Sequence, residues 1–176
     1  DESQCQTPID AARSHFGRID ILFNNAGITQ RGSFREATTA AIRRVMDTNF
    51  FGALYCTKVA LESLIACRGM IIVTSSIAGL APVLGRTAYC ASKHALHGLF
   101  GTLRAELKGL GVHVMIVCPG FTRTKMAQQF IDNHGEELVL KDIALKRLTE
   151  PEDIAPNVAF LASGLERFSA GRARSR

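Results

Sequence analysis

The feature that most constrains the fold is an alternation. Short apolar runs, each closed by a polar or Gly/Pro-rich cluster, are separated by longer stretches with helical spacing. The runs are "IDILFN" (19–24), "RGMIIVTSS" (68–76) and "VHVMIVCPG" (112–120), which predict strands at about 19–24, 70–76 and 112–118. Around them, "TPIDAARSHFG", "FREATTAAIRRVMDTN", "FFGALYCTKVALESLIA", "AYCASKHALHGLFGTLRAELKGLG" and "EPEDIAPNVAFLAS" place apolar residues at helical intervals. Gly17 closes the first helix; Glu150 or Thr149 caps the last, with Pro151 in its first turn. The segment 121–149 is mixed and polar. Strands alternating with helices of this length predict an α/β fold, a parallel sheet with helices on both faces.

Composition sets the bounds. With 176 residues, 47% hydrophobic and 21% charged, the chain is expected to form one domain with a core. Uninterrupted apolar runs such as "MIIV" (70–73) are too short to span a bilayer, so no membrane is expected. "DESQCQTPID" has neither the basic start nor the apolar stretch of a signal peptide, and the missing initiator Met suggests a fragment. Five scattered cysteines (Cys5, Cys56, Cys67, Cys90, Cys118) suit reduced thiols in a cytoplasmic protein. Three of the five formal positive charges come from Arg172, Arg174 and Arg176, leaving +2 without them. Nucleic acid is therefore not expected as a partner, and 172–176 reads as a basic disordered tail after a single domain at 1–171.

In open α/β sheets, ligands bind outside the carboxyl ends of the strands. The residues there are "NNAG" (24–27), "TSS" (74–76) and "PGFTRT" (119–124). Tyr89 and Lys93 stand one helical turn apart, so the ammonium can favour the phenolate. Bringing a phenol from roughly 10 to about 7 needs about 4 kcal/mol of differential stabilisation. Ser76 lies thirteen residues before Tyr89, close enough in sequence for its hydroxyl to share the oxygen that Tyr89 protonates. Ser75 is its competitor, since neighbours on a strand face opposite ways. His94 and His97 share a helix face without a carboxylate or thiolate at ligand spacing, so no metal is expected. Cys90 turns away from Tyr89 and reads as a packing residue.

Tyr89-x-x-x-Lys93, the serine thirteen residues upstream, "NNAG", "NFFG" and "PGFTRT", in this order and spacing, resemble the short-chain dehydrogenases/reductases over about residues 9–171. The resemblance implies a Rossmann-like, doubly wound sheet and an NAD- or NADP-dependent oxidoreductase that interconverts a secondary alcohol and a ketone. It implies Tyr89 as general acid/base and Ser76 as the group that orients the substrate oxygen. Lys93 would hold the nicotinamide ribose and lower the Tyr89 pKa, and Asn49 would hold a water in the proton relay. Asn24, Asn25, Ala26 and Gly27 would approach the cofactor. Pro119 and Gly120 would form the turn beside the nicotinamide, and the Thr124 hydroxyl would bond its carboxamide. A homo-oligomer through helices 50–66 and 89–108 is also implied.

The sequence holds no G-x-x-x-G-x-G loop for the cofactor pyrophosphate, and "RARSR" does not resemble the family's last strand. The family pattern therefore reads as a partial domain truncated at both ends, with an unpaired apolar edge on "IDILF" and weak NAD(P) binding by the chain itself. The alternative is a catalytically dead fragment acting only as a self-association module. The apolar loop 77–88, with Leu80, Pro82, Val83, Leu84 and Arg86, suggests a hydrophobic or acyl substrate with an anionic end.

Overall fold

The computed structural model describes residues 2–141, 143 and 146–163; the basic tail 172–176 lies outside them. The chain divides into two compact units, Asp1–Cys118 and Pro119–Arg176. All five cysteines are free thiols.

The first unit opens with α1 (Glu2–Phe16), which stops where Gly17 takes a φ of 76° and its N–H bonds Arg13 O at 2.8 Å. Strand β1 (Ile21–Asn24) follows, then α2 (Thr39–Met46), capped by the Thr38 hydroxyl on Ala41 N. A π-helical turn (Asp47–Phe51) joins α2 to α3 (Gly52–Cys67). Next come β2 (Met70–Thr74), α4 (Thr87–Leu107) and β3 (His113–Val117). The three strands are parallel in the order β1-β2-β3, with Leu22 opposite Ile71, Ile71 opposite Val114 and Val73 opposite Ile116. Each strand is two residues shorter than the sequence predicts, because Ile19, Asp20, Ser75, Ser76, Val112 and Cys118 lie beyond the paired segments.

The register explains the core. Leu22, Ile71, Val73, Val114 and Ile116 share one face of the sheet and pack with Ile9 of α1, Ala60 and Leu64 of α3, and Leu96 and Phe100 of α4. Side chains of the opposite face on β1, Ile21 (42% exposed) and Phe23 (46%), remain open to solvent. β1 is an outer strand of the three, the apolar edge that the sequence leads one to expect. At the start of β2, Gly69 is required. A Cβ there would come within 2.4 Å of Asp20 O, the carbonyl that accepts from Met70 N.

The helical stretch Thr39–Cys67 is long and apolar enough to cross a membrane by length and composition. Short uninterrupted runs do not reveal this, because polar residues break the apolar sequence without breaking the helix. In this fold its Ala53, Thr57, Ala60 and Leu64 are buried in the first unit.

In the second unit, Thr122 and Thr149 form an isolated parallel bridge. Helices α5 (Lys125–His134) and α6 (Glu136–Leu140) bury Ala127, Ile131 and Val139 with Leu148. Arg123 bonds both Glu136 and Glu150 at 2.9 Å. Glu150, rather than Thr149, caps α7 (Pro151–Ala162), in a capping box with Asp153.

Phe100 is fully buried and Leu84 is 99% exposed. In urea unfolding of the chain, Phe100→Ala is expected to lower stability by about 3–5 kcal/mol, and Leu84→Ala by less than about 0.5 kcal/mol. Similar effects for the two would contradict this core.

Candidate active site

The site in the first unit is built where β1 and β2 end. Lys93, one turn into α4 from Tyr89, is 3% exposed. Its Nζ donates to the backbone carbonyl of Thr74, the last residue of β2, at 2.7 Å. That ammonium lies 5.6 Å from the centre of the Tyr89 ring. Burial pushes its pKa down to about 8.

After β2 the chain separates the two serines. Ser75 is 2% exposed and turned inward, its Oγ donating to Lys93 O at 3.4 Å. Ser76 has extended backbone and opens a short 3₁₀ turn (Ile77–Gly79), its Oγ accepting from Ala78 N. The Ser76 hydroxyl lies close enough to the Tyr89 hydroxyl to pull its pKa down. Of the two candidates it is therefore Ser76 that meets Tyr89. Gly79 makes the turn possible, because a Cβ there would sit 2.6 Å from Ser75 Oγ and 2.8 Å from the His97 ring. His97 Nε2 lies 3.6 Å from Cys118 Sγ.

Tyr89 sits above the ordinary tyrosine range, chiefly because it is buried; the Ser76 hydroxyl and the charge of Arg86 pull the other way. The Lys93 ammonium is bonded to Thr74 O.

Asn49 is 1% exposed in the π-helical turn. Its Oδ1 accepts from Ile28 N at 2.8 Å, while Nδ2 donates to Ile28 O and Ser92 Oγ, both at 2.9 Å. Ser92 Oγ donates in turn to Tyr89 O at 2.8 Å. One amide thus fastens the turn after β1 to the first turn of α4. A Cβ on Gly27 would lie 3.5 Å from Asn49 Oδ1 and 3.7 Å from Lys93 Nζ, so the "NNAG" turn comes close to both. Asn24 Nδ2 donates to Thr57 Oγ1 at 3.0 Å, and Asn25 Oδ1 accepts from Thr74 Oγ1 at 2.8 Å. Ala26 is exposed beside them.

Ser76, Tyr89, Lys93, Asn49 and the 24–27 turn are therefore gathered at one end of the sheet. Pro119, Gly120 and Thr124 belong to the second unit. There the Thr124 hydroxyl caps α5 by accepting from Ala127 N at 3.4 Å.

Two participants escaped the sequence reading. Ser92 joins through a bond to Asn49, 43 positions away in the chain. Arg86, read only as a hint of an anionic substrate, donates to the hydroxyl of Thr29 and lies 6.0 Å from the centre of the Tyr89 ring. Its position three residues before Tyr89 was the available signal.

The family model for short chain dehydrogenase matches residues 1–135. The chain is 34% identical over 155 residues to dehydrogenase/reductase SDR family member 7B of Danio rerio, covering 88% of this chain and 50% of the relative. It is 37% identical over 159 residues to meso-2,3-butanediol dehydrogenase of Serratia marcescens, covering 88% of this chain and 61% of the relative. The chain thus spans about half the length of the curated relatives that it matches. The structure of ElxO with NADP bound superposes with a TM-score of 0.86 at 31% identity, over 92% of this chain and 67% of ElxO. Matched over most of its length, with the parallel sheet in place, the chain belongs to the short-chain dehydrogenase family.

Proposed function

We propose that these residues form the proton-handling half of an NAD- or NADP-dependent oxidoreductase that interconverts a secondary alcohol and a ketone. The observation that carries the reading is the Ser76–Tyr89 hydroxyl pair beside a buried lysine at the strand ends. Two hydroxyls this close can both reach one substrate oxygen. In the reductive direction Tyr89 gives its proton to that oxygen and Ser76 holds the oxygen in place; oxidation reverses the transfer.

The donor set fits the nicotinamide ribose. Lys93 Nζ has three donors and spends one on Thr74 O, and the Gly27 backbone lies close to it and to Asn49. When bound, the nicotinamide supplies or removes the hydride at the substrate carbon. Lys93, Tyr89 and the 24–27 turn would hold the ribose side. Asn49 spends its side chain on the protein, so its part in a relay would be to fix the π-helical turn that holds a water.

The helices 50–66 and 89–108 would pair two copies of the chain.

Two experiments test this reading. In a form of the protein that turns over, Tyr89→Phe is expected to lower kcat by a hundredfold or more, while NAD(P)H fluorescence titration shows cofactor binding within about threefold of wild type. Comparable turnover in the two would refute Tyr89 as the proton donor.

The second concerns Lys93. Its folded value of about 8 lies below the ordinary lysine value, so above pH 8 the unfolded chain binds more protons than the folded one and stability rises with pH. Burial raises the Cys56 thiol to about 11 from 9.0 and also raises Cys118, and these oppose the rise from about pH 8 upward in wild type and variant alike. Between pH 8 and 9 the chain is therefore expected to gain about 1 kcal/mol more in urea unfolding than Lys93→Met does. An equal response in both would show that Lys93 is not buried as a depressed base.

A further inference from the structure

Helices α1 and α3 pack against each other on one face of the sheet, where Ile9 of α1 and Ala60 of α3 belong to the same buried cluster. Each helix leads into a strand, α1 into β1 and α3 into β2, and those strands are parallel neighbours. The two helices therefore run in the same direction, and equal positions along them stand at equal heights. Cys5 stands eleven positions before Phe16, the end of α1, and Cys56 stands eleven positions before Cys67, the end of α3. Each is also one turn before a buried residue of its own helix, Cys5 before Ile9 and Cys56 before Ala60, so each lies on the face that carries this contact. The fold thus sets the two thiols opposite each other where the helices meet. Their electrostatics agree. Burial first, and then the neighbouring Cys5 thiol, hold the Cys56 thiol above the ordinary cysteine range.

Both residues are partly exposed rather than sealed in the core. The other three cysteines meet groups of other kinds. Cys67 lies near Arg18, Cys90 Sγ donates to Val83 O at 3.8 Å, and Cys118 Sγ is 3.6 Å from His97 Nε2. A disulfide spans only about 4 Å between Cβ atoms, so it forms where the backbone already holds two thiols at one level on facing elements. Cys5 and Cys56 meet that condition, and both remain within reach of a small reagent.

We propose that Cys5 and Cys56 are an oxidative modification site, at which a small-molecule disulfide such as oxidised glutathione converts them to an intramolecular disulfide that fastens α1 to α3. Cys56 keeps its proton at neutral pH, so attack begins at Cys5. The Cys5 thiolate attacks one sulfur of the small disulfide and displaces a thiolate, leaving a mixed disulfide. Cys56 then gives up its proton, and its sulfur attacks Cys5 Sγ and displaces the second thiolate. The two cysteines lose two electrons and two protons between them, and the small disulfide takes these up as two thiols. The bridge closes a loop that runs through β1 and the 24–27 turn. Thr57, next to Cys56, accepts from Asn24 at the end of β1. The cross-link therefore ties down the outer strand of the sheet and the turn beside the site.

The test is incubation of the chain with oxidised glutathione at neutral pH, an acid quench, and peptide mapping without reduction. The expected product is a single chain in which Cys5 and Cys56 share one cross-linked peptide pair. Its urea midpoint should lie about 1 M or more above that of the reduced chain, and dithiothreitol should reverse the shift. Cys5→Ser and Cys56→Ser should each block the cross-link and remove that shift, while their reduced forms unfold near the reduced wild type. A glutathione adduct on Cys5 without a cross-link, a bridge to another cysteine or to a second chain, or an oxidised midpoint equal to the reduced one would overturn the proposal. The wild-type map decides by itself if a variant fails to fold. No turnover is measured, so the result stands or falls apart from the oxidoreductase reading.

Discussion

The hydrogen bond from Lys93 Nζ to the carbonyl of Thr74 is the contact on which the site depends. An ammonium that is 3% exposed is costly to desolvate, and among the described residues no carboxylate is bonded to it. It is accommodated because a strand that ends in a parallel sheet leaves its last carbonyl without a ladder partner. The lysine answers that carbonyl, and the bond fixes α4 against the end of β2. With α4 fixed, one turn of helix determines where Tyr89 stands, and the 3₁₀ turn after β2 brings Ser76 to it. The depressed pKa of Lys93 is the electrostatic trace of the same burial.

Asn49 does for β1 what Lys93 does for β2. The turn after β1 needs partners for Ile28 N and Ile28 O, and a single buried amide supplies both. A regular α-helix across 47–51 would carry this side chain to a different angle. The wider π-helical turn is where the helix accommodates the contact, and such turns often mark functional sites.

The strands, their parallel order and the gathering of Ser76, Tyr89, Lys93 and Asn49 were legible in the sequence because each rests on local periodicity or on short spacing. Two details were not. The latch between Arg86 and Thr29 joins loops 57 positions apart and has no periodic signal. Spacing places Lys93 near the Tyr89 ring without telling where its ammonium points, and burial of the phenol depends on the loops beside it.

That last point bears on the chemistry proposed. A phenol held above its ordinary range is fully protonated at neutral pH, the state required of a proton donor to a ketone oxygen. Working in the other direction, Tyr89 must first become a phenolate, and the cations nearby decide the cost. Lys93 stands 5.6 Å from the ring and Arg86 6.0 Å, measured to its centre. In this structure it is the charge of Arg86 that pulls the Tyr89 pKa down, while the Lys93 ammonium is engaged by Thr74 O. Under the proposed function, the positive charge of an oxidised nicotinamide would add to that support.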